Sequence, residues 1–146
     1  LGDQNKTNLF GNKVIEKFKK IGCQARYYGF KDYSFVQEKM RTASIIVIPS
    51  LWQEPFGLVA AEAMSNGICI IASKVGGIPE IIRNNGVLIE NINFQKLEKT
   101  LIELINNDKL RNFYQKQAWK DLKFSAEYSS KQLDNYRKII FNQNDY

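Results

Sequence analysis

Apolar positions along this chain follow two rhythms. Short β-branched runs are separated by stretches in which apolar residues recur every three or four positions. That alternation predicts a parallel sheet covered by helices, an α/β fold. Ser44–Ile48 reads as a central strand buried on both faces, ended by Pro49 and Ser50. Ile68–Ala72 is a second buried strand and Gly86–Ile89 a last, short one, while Ala25–Tyr28 reads as a strand that stops at Gly29. Helices fill the intervals. Residues 11–20 place Val14, Ile15 and Phe18 on one face, and Tyr33–Arg41 forms a short helix. Residues 57–66 form another, stopped by Asn66-Gly67, a common pair at helix ends. After the Gly76-Gly77 turn, Pro79 and Glu80 suit the first turn of a brief helix. Phe94, Leu97, Leu101 and Ile105 keep helical spacing, and Asn107 or Asp108 caps the next helix, which carries Leu110, Phe113, Tyr114 and Ala118. A final helix starts near Ser125. No repeat, low-complexity linker or domain boundary interrupts the pattern, so residues 1–146 read as one domain with one core.

One stretch breaks the pattern with charge. Gln53-Glu54-Pro55-Phe56-Gly57-Leu58-Val59-Ala60-Ala61-Glu62-Ala63-Met64 puts two carboxylates eight positions apart across a loop-to-helix junction. Glu62 lies among apolar residues, and a charge buried without a partner is expensive, so such a residue is partnered or functional. The helix start beside it offers free N–H groups and a positive dipole end, a natural seat for an anion. Helical side chains lean toward the N-terminus, so Glu62 points at that same mouth. A carboxylate accepts two hydrogen bonds at once, which suits the vicinal hydroxyls of a ribose. Gly57, lacking a side chain, would let a phosphate reach the amides of Gly57 and Leu58, while Pro55 fixes the backbone behind Glu54. In an open parallel sheet the ligand sits outside the carboxyl ends of the strands. Three loops meet that rule: Gly29-Phe30-Lys31, Pro49 to Gly57, and Lys74 to Pro79. Phe30 offers a stacking face and a backbone edge for a base. The Gly76-Gly77 pair reads equally well as a plain turn or as a sugar-contacting loop.

Composition narrows the chemistry. Hydrophobic content of 44% and charged content of 25% are those of an ordinary globular domain. No apolar run approaches the roughly 20 residues a membrane helix needs, and the opening Leu1-Gly2-Asp3-Gln4-Asn5 has neither the basic flank nor the apolar core of a secretory signal. With no histidine, the usual triads and histidine metal sites are excluded. Asp-x-Asp pairs, calcium loops and the common glycine-rich nucleotide motifs are missing too, so no essential protein-held metal is expected. The two cysteines, Cys23 and Cys69, give neither a zinc pattern nor a disulfide framework. Cys69 is expected to be an inert buried thiol, and a reducing cytoplasm is the natural home. The net charge of +6 is concentrated in the first fifty residues, which hold nine basic and four acidic groups. That end suits a solvated helix face, an anionic ligand or peripheral contact with an anionic inner-membrane surface. No nucleic-acid-binding pattern is present.

The ordered series Pro49-Ser50-Leu51-Trp52, Glu54-Pro55-Phe56-Gly57-Leu58, Glu62-Ala63-Met64, Gly67 and Val75-Gly76-Gly77-Ile78-Pro79-Glu80 resembles the retaining glycosyltransferases of glycosyltransferase family 4, the "glycosyl transferases group 1" domain. The resemblance covers most of the chain. It implies a Rossmann-like parallel sheet with helices on both faces, one half of a two-domain enzyme of the GT-B type. Here the first strand is missing, and the chain is a carboxyl-terminal, nucleotide-sugar-binding fragment of something longer. The implied activity is hexosyl transfer from a nucleoside diphosphate sugar, with retention, in lipopolysaccharide, polysaccharide or glycolipid synthesis. By resemblance Glu54 lies near the transferred sugar as the catalytic residue, and Phe56, Gly57 and Leu58 supply the segment whose amides meet the diphosphate. Glu62 grips the ribose, and Phe30 and Lys31 lie where the base is met. No cofactor is implied beyond the donor itself. The Arg and Lys that clamp the diphosphate, and the acceptor domain, would precede Leu1, so the isolated piece is expected not to transfer sugar. A nucleotide-sugar epimerase, or a non-catalytic nucleotide-sugar-binding domain of the same fold, is the alternative.

Overall fold

The computed structural model describes residues 25–121, together with Glu16, Lys20, Ser130, Lys131, Leu133, Asp134, Asn135, Arg137 and Lys138. The expected helix over residues 11–20 is described only at Glu16 and Lys20, and the expected final helix from Ser125 only at the named residues between 130 and 138, all of which are helical. The chain divides into two compact units, residues 1–36 and residues 37–146.

In the first unit, the expected strand Ala25–Tyr28 is not a strand. Arg26, Tyr27 and Tyr28 are exposed, unlike the side chains of a strand inside a covered sheet. Tyr28 instead meets Phe35 edge-on, with ring centroids 5.1 Å apart. Helix α1 (Tyr33–Thr42) starts in this unit, where Asp32 Oδ1 accepts from the Phe35 amide at 2.9 Å and from Ser34 Oγ at 2.8 Å.

The second unit carries a three-stranded parallel sheet in the order β1-β2-β3. The strands are β1 (Ile45–Ile48), β2 (Cys69–Ser73) and β3 (Gly86–Ile89). Ile45 pairs with Cys69 and Ile48 with Ala72 across the first ladder, and Ile70 with Gly86 and Ser73 with Ile89 across the second. Helices α2 (Leu58–Ser65) and α3 (Ile78–Ile82) connect the strands, and α4 (Phe94–Asn106) and α5 (Asp108–Lys120) follow.

Strand β2 is buried throughout, and its side chains alternate between two cores. Ile70 and Ala72 join Met64, Ile78 and Ile82 on one side, and Cys69 and Ile71 join Ile89 and Leu104 on the other. The two sets account for helices on both faces of the sheet, the α/β arrangement that the sequence pattern predicts. Helix α5 serves both sides, with Ala118 in the first core and Leu110 and Tyr114 against the second. Asn93 and Asn107 cap α4 and α5, their side chains accepting from the amides of Lys96 and Leu110. Cys69 is the inert thiol expected: burial pushes it up to about 11, with Arg111 pulling weakly the other way. Among the described residues no helix is long and apolar enough to cross a membrane.

Candidate functional site

The loops that leave β1 and β2 are locked together. The Gly77 amide donates to the Glu54 carbonyl at 2.8 Å, and the Gly76 amide donates to Gln53 Oε1 at 2.7 Å. A Cβ on Gly76 would overlap the Glu54 carbonyl oxygen, and one on Gly77 would sit 2.7 Å from the Pro55 carbonyl oxygen. Gly76 also has φ +54°, in the left-handed region that other residues avoid. The glycine pair is thus more than a plain turn: it is where one loop backbone rests on the other.

That contact fixes the backbone of Glu54, and Ser50 fixes its side chain. Ser50 Oγ donates to Glu54 Oε1 at 2.6 Å, and Ser50 is only 8% exposed. Glu54 itself is partly exposed, and among the described residues Oε2 has no hydrogen-bond partner. Sequence reasoning took Ser50 merely as the end of a strand and gave Gln53 no role. The only available signal was a hydroxyl four positions before an acid in a tight loop.

Three residues on, Gly57 turns the chain into α2 with φ +87° and ψ +50°. A Cβ there would come within 3.0 Å of Ile78 Cγ1, so both conformation and packing favour glycine. The Ala60 and Ala61 amides bond back to the Gly57 carbonyl at 2.9 and 3.3 Å. Among the described residues, the amides of Gly57, Leu58 and Val59 have no acceptor. These are the orphan donors of a helix start, backed by the positive end of the dipole.

Glu62 lies one turn further along the same side as Leu58. Helix α2 is not buried all round, as the argument from charge burial assumed. Its buried face is Ala60, Ala63 and Met64, while Leu58 is 67% exposed and Glu62 partly exposed. Small residues on one side let the helix lie close on the sheet and leave the acid side open. The Glu62 carboxylate has no partner among the described residues. Glu54, Phe56, Gly57, Leu58 and Glu62 thus form one loop-helix element, with acids before and after a run of amides that lack an acceptor among the described residues. Phe30 and Lys31 belong to the other unit. Phe30 is 90% exposed, and Lys31 Nζ stands 5.4 Å from the Phe35 ring centroid.

Beside this element opens a cavity of about 440 Å³, lined by residues that include Ser50, Gln53, Ser73, Lys74, Glu90 and Asn91. Lys74 Nζ pairs with Glu90 Oε1 at 2.6 Å across its rim. That hydrogen bond, and then the charge behind it, holds the Glu90 carboxyl below the usual carboxylate range. Ser73 Oγ is buried and has no hydrogen-bond partner among the described residues. Leu51, Trp52 and Phe56 form an exposed apolar rim around the Glu54 loop.

Known proteins share this sequence and fold. The "Glycosyl transferases group 1" family profile matches residues 10–121. An uncharacterised glycosyltransferase of Methanocaldococcus jannaschii is 40% identical over 103 residues, covering 68% of this chain and 29% of its own length. This chain therefore spans under a third of that relative. The carboxyl-terminal domain of a glycosyl transferase group 1 protein from Francisella tularensis superposes with a TM-score of 0.68 at 32% identity, over 81% of this chain and 62% of that one. A protein of Anabaena solved in complex with UDP superposes with a TM-score of 0.74 at 21% identity, over 87% of this chain and 36% of that one, a likeness of fold alone. With a matched region that takes in the acid loop, helix α2 and the interlocked glycines, the chain belongs to the glycosyl transferases group 1 family.

Proposed function

We propose that this chain is the donor-binding half of a two-domain, retaining glycosyltransferase of glycosyltransferase family 4, moving a hexose from a nucleoside diphosphate sugar to an acceptor. The observation that carries the reading is the run of amides at Gly57, Leu58 and Val59 without an acceptor among the described residues, set between two partly exposed carboxylates on one loop-helix element. The amides receive the diphosphate, whose negative charge grows as the sugar departs, and a preorganised donor row is worth most where charge develops. Glu62 accepts from the ribose hydroxyls. Glu54 orients the hydroxyls of the transferred sugar, or supports positive charge on its ring, through the unpaired Oε2. Phe30 and Lys31 meet the base. No metal is invoked: the amides and cations from elsewhere in the full-length protein carry the leaving group. The UDP held by the Anabaena neighbour supports a nucleoside diphosphate as donor. We place the reaction in the cytoplasm, at or near the inner membrane face, in the synthesis of lipopolysaccharide, polysaccharide or glycolipid.

Glu62 supplies the test. Glu62→Ala in the full-length protein removes charge-assisted hydrogen bonds and should weaken donor binding by about 1.5–3 kcal/mol, read by calorimetry with UDP and GDP sugars. An unchanged affinity sinks the ribose role.

A further inference from the structure

We propose that Ser50 is a positioning residue for Glu54, pinning one carboxylate oxygen so that the other faces the transferred sugar. This rests on the reading of the site as a sugar-donor seat. The backbone of Glu54 is held independently: the Gly77 amide bonds its carbonyl, the Gly76 amide bonds the Gln53 side chain, and Pro55 follows it. A fixed backbone still leaves a glutamate three side-chain torsions. A partly exposed carboxylate in an open loop would sample several rotamers, most of them aimed away from a reacting sugar. The 2.6 Å bond from Ser50 Oγ to Oε1 removes that freedom.

The chemistry of the two groups makes the arrangement directional. A serine hydroxyl has one proton to give, and here the carboxylate receives it. Oε1 is thereby engaged, while Oε2, without a partner among the described residues, keeps its lone pairs for substrate hydroxyls or for developing positive charge. Ser50 is itself buried two residues beyond the end of β1, so its hydroxyl is held where the strand leaves the sheet. The acid is thus tied through one hydroxyl to the end of β1.

A merely structural serine would affect stability and leave the role of Glu54 untouched, so the test is a double-mutant cycle in the full-length protein. Ser50→Ala should lower kcat by about tenfold while donor Kd stays within about twofold, because orientation rather than binding is lost. In a Glu54→Ala background the same substitution should cost nothing further, since the group it positions is gone. Loss by the same factor in both backgrounds overturns the proposal, as does an unchanged kcat in the single variant. Should Ser50→Ala fail to fold, Ser50→Cys keeps the volume with a much weaker donor and is read the same way. A wild-type protein that neither binds a nucleoside diphosphate sugar nor transfers from one sinks the site reading and Ser50 with it. A wild type that turns over with an indifferent Ser50 variant sinks this inference alone.

Discussion

Gly76 carries the tightest steric constraint in the site. An added Cβ would meet the Glu54 amide nitrogen at 2.5 Å and its carbonyl carbon at 2.9 Å, all backbone and unable to swing aside. The φ of +54° adds a conformational penalty. Gly67 makes a natural control: its φ is +63°, yet a Cβ there meets nothing closer than 3.7 Å. Gly67→Ala should therefore cost about 1–2 kcal/mol from conformation alone, and Gly76→Ala about 1–3 kcal/mol more through backbone displacement. Urea denaturation measures both, and only Gly76→Ala should also weaken donor binding, because it pushes the Glu54 loop off its seat. Equal costs at the two glycines would remove the interlocking argument. At this scale the sequence announced its acids but not their supports. Glu54 and Glu62 stand out because charge interrupts an apolar run. Gln53 and Ser50 do not, since a polar residue in a loop is unremarkable until the partner brought to it by the fold is known.

Elements were legible where a segment's own pattern decides its state. The apolar β-branched runs became β1, β2 and β3 to within about a residue, because each contains its own argument for burial. Ala25–Tyr28 has the composition of a strand and is not one, and its Arg26, Tyr27 and Tyr28 side chains are exposed where a central strand's would be buried. The start of α1 shows local encoding in its simplest form. Asp32 accepts from the Phe35 amide and the Ser34 hydroxyl, and these two bonds, the amide first, hold its carboxyl below the ordinary value of 3.8. A group with a depressed folded pKa contributes stability above its unfolded value and loses it as pH falls through the folded one. The cap should therefore persist at pH 5 and weaken only below about pH 4. The Phe35 amide resonance reports this directly, and its low-pH titration should have a midpoint under that of a free aspartate. A midpoint at or above the free value would show that the capping bond does not form in solution.

At the scale of the whole molecule, this chain is one side of a site on the proposed two-domain reading. It spans 29% of the length of the Methanocaldococcus jannaschii relative. The amides at the start of α2 have no acceptor among the described residues, and Leu51, Trp52, Phe56 and Leu58 beside them are exposed. Exposed apolar groups collected around a polar seat mark an interaction or ligand-binding surface. The family motif made the seat readable from sequence, and on the proposed two-domain reading a facing domain supplies the opposite wall. An orphan amide row can hold a diphosphate but supplies only part of the charge needed to release it. Lys74, the cation on the neighbouring cavity rim, is already engaged by Glu90. Closing a site also expels water and strengthens every electrostatic contact inside it, and a single wall cannot do that. The 146-residue chain alone should therefore bind UDP or GDP more weakly than the full-length protein and release no sugar from the corresponding donors. Calorimetry on both proteins, followed by a donor-turnover assay, separates the two statements. Affinity in the short chain equal to that of the long one would mean that the facing wall contributes nothing to binding. Measurable transfer by the short chain would mean that the catalytic apparatus is complete within it, and that the two-domain reading is wrong.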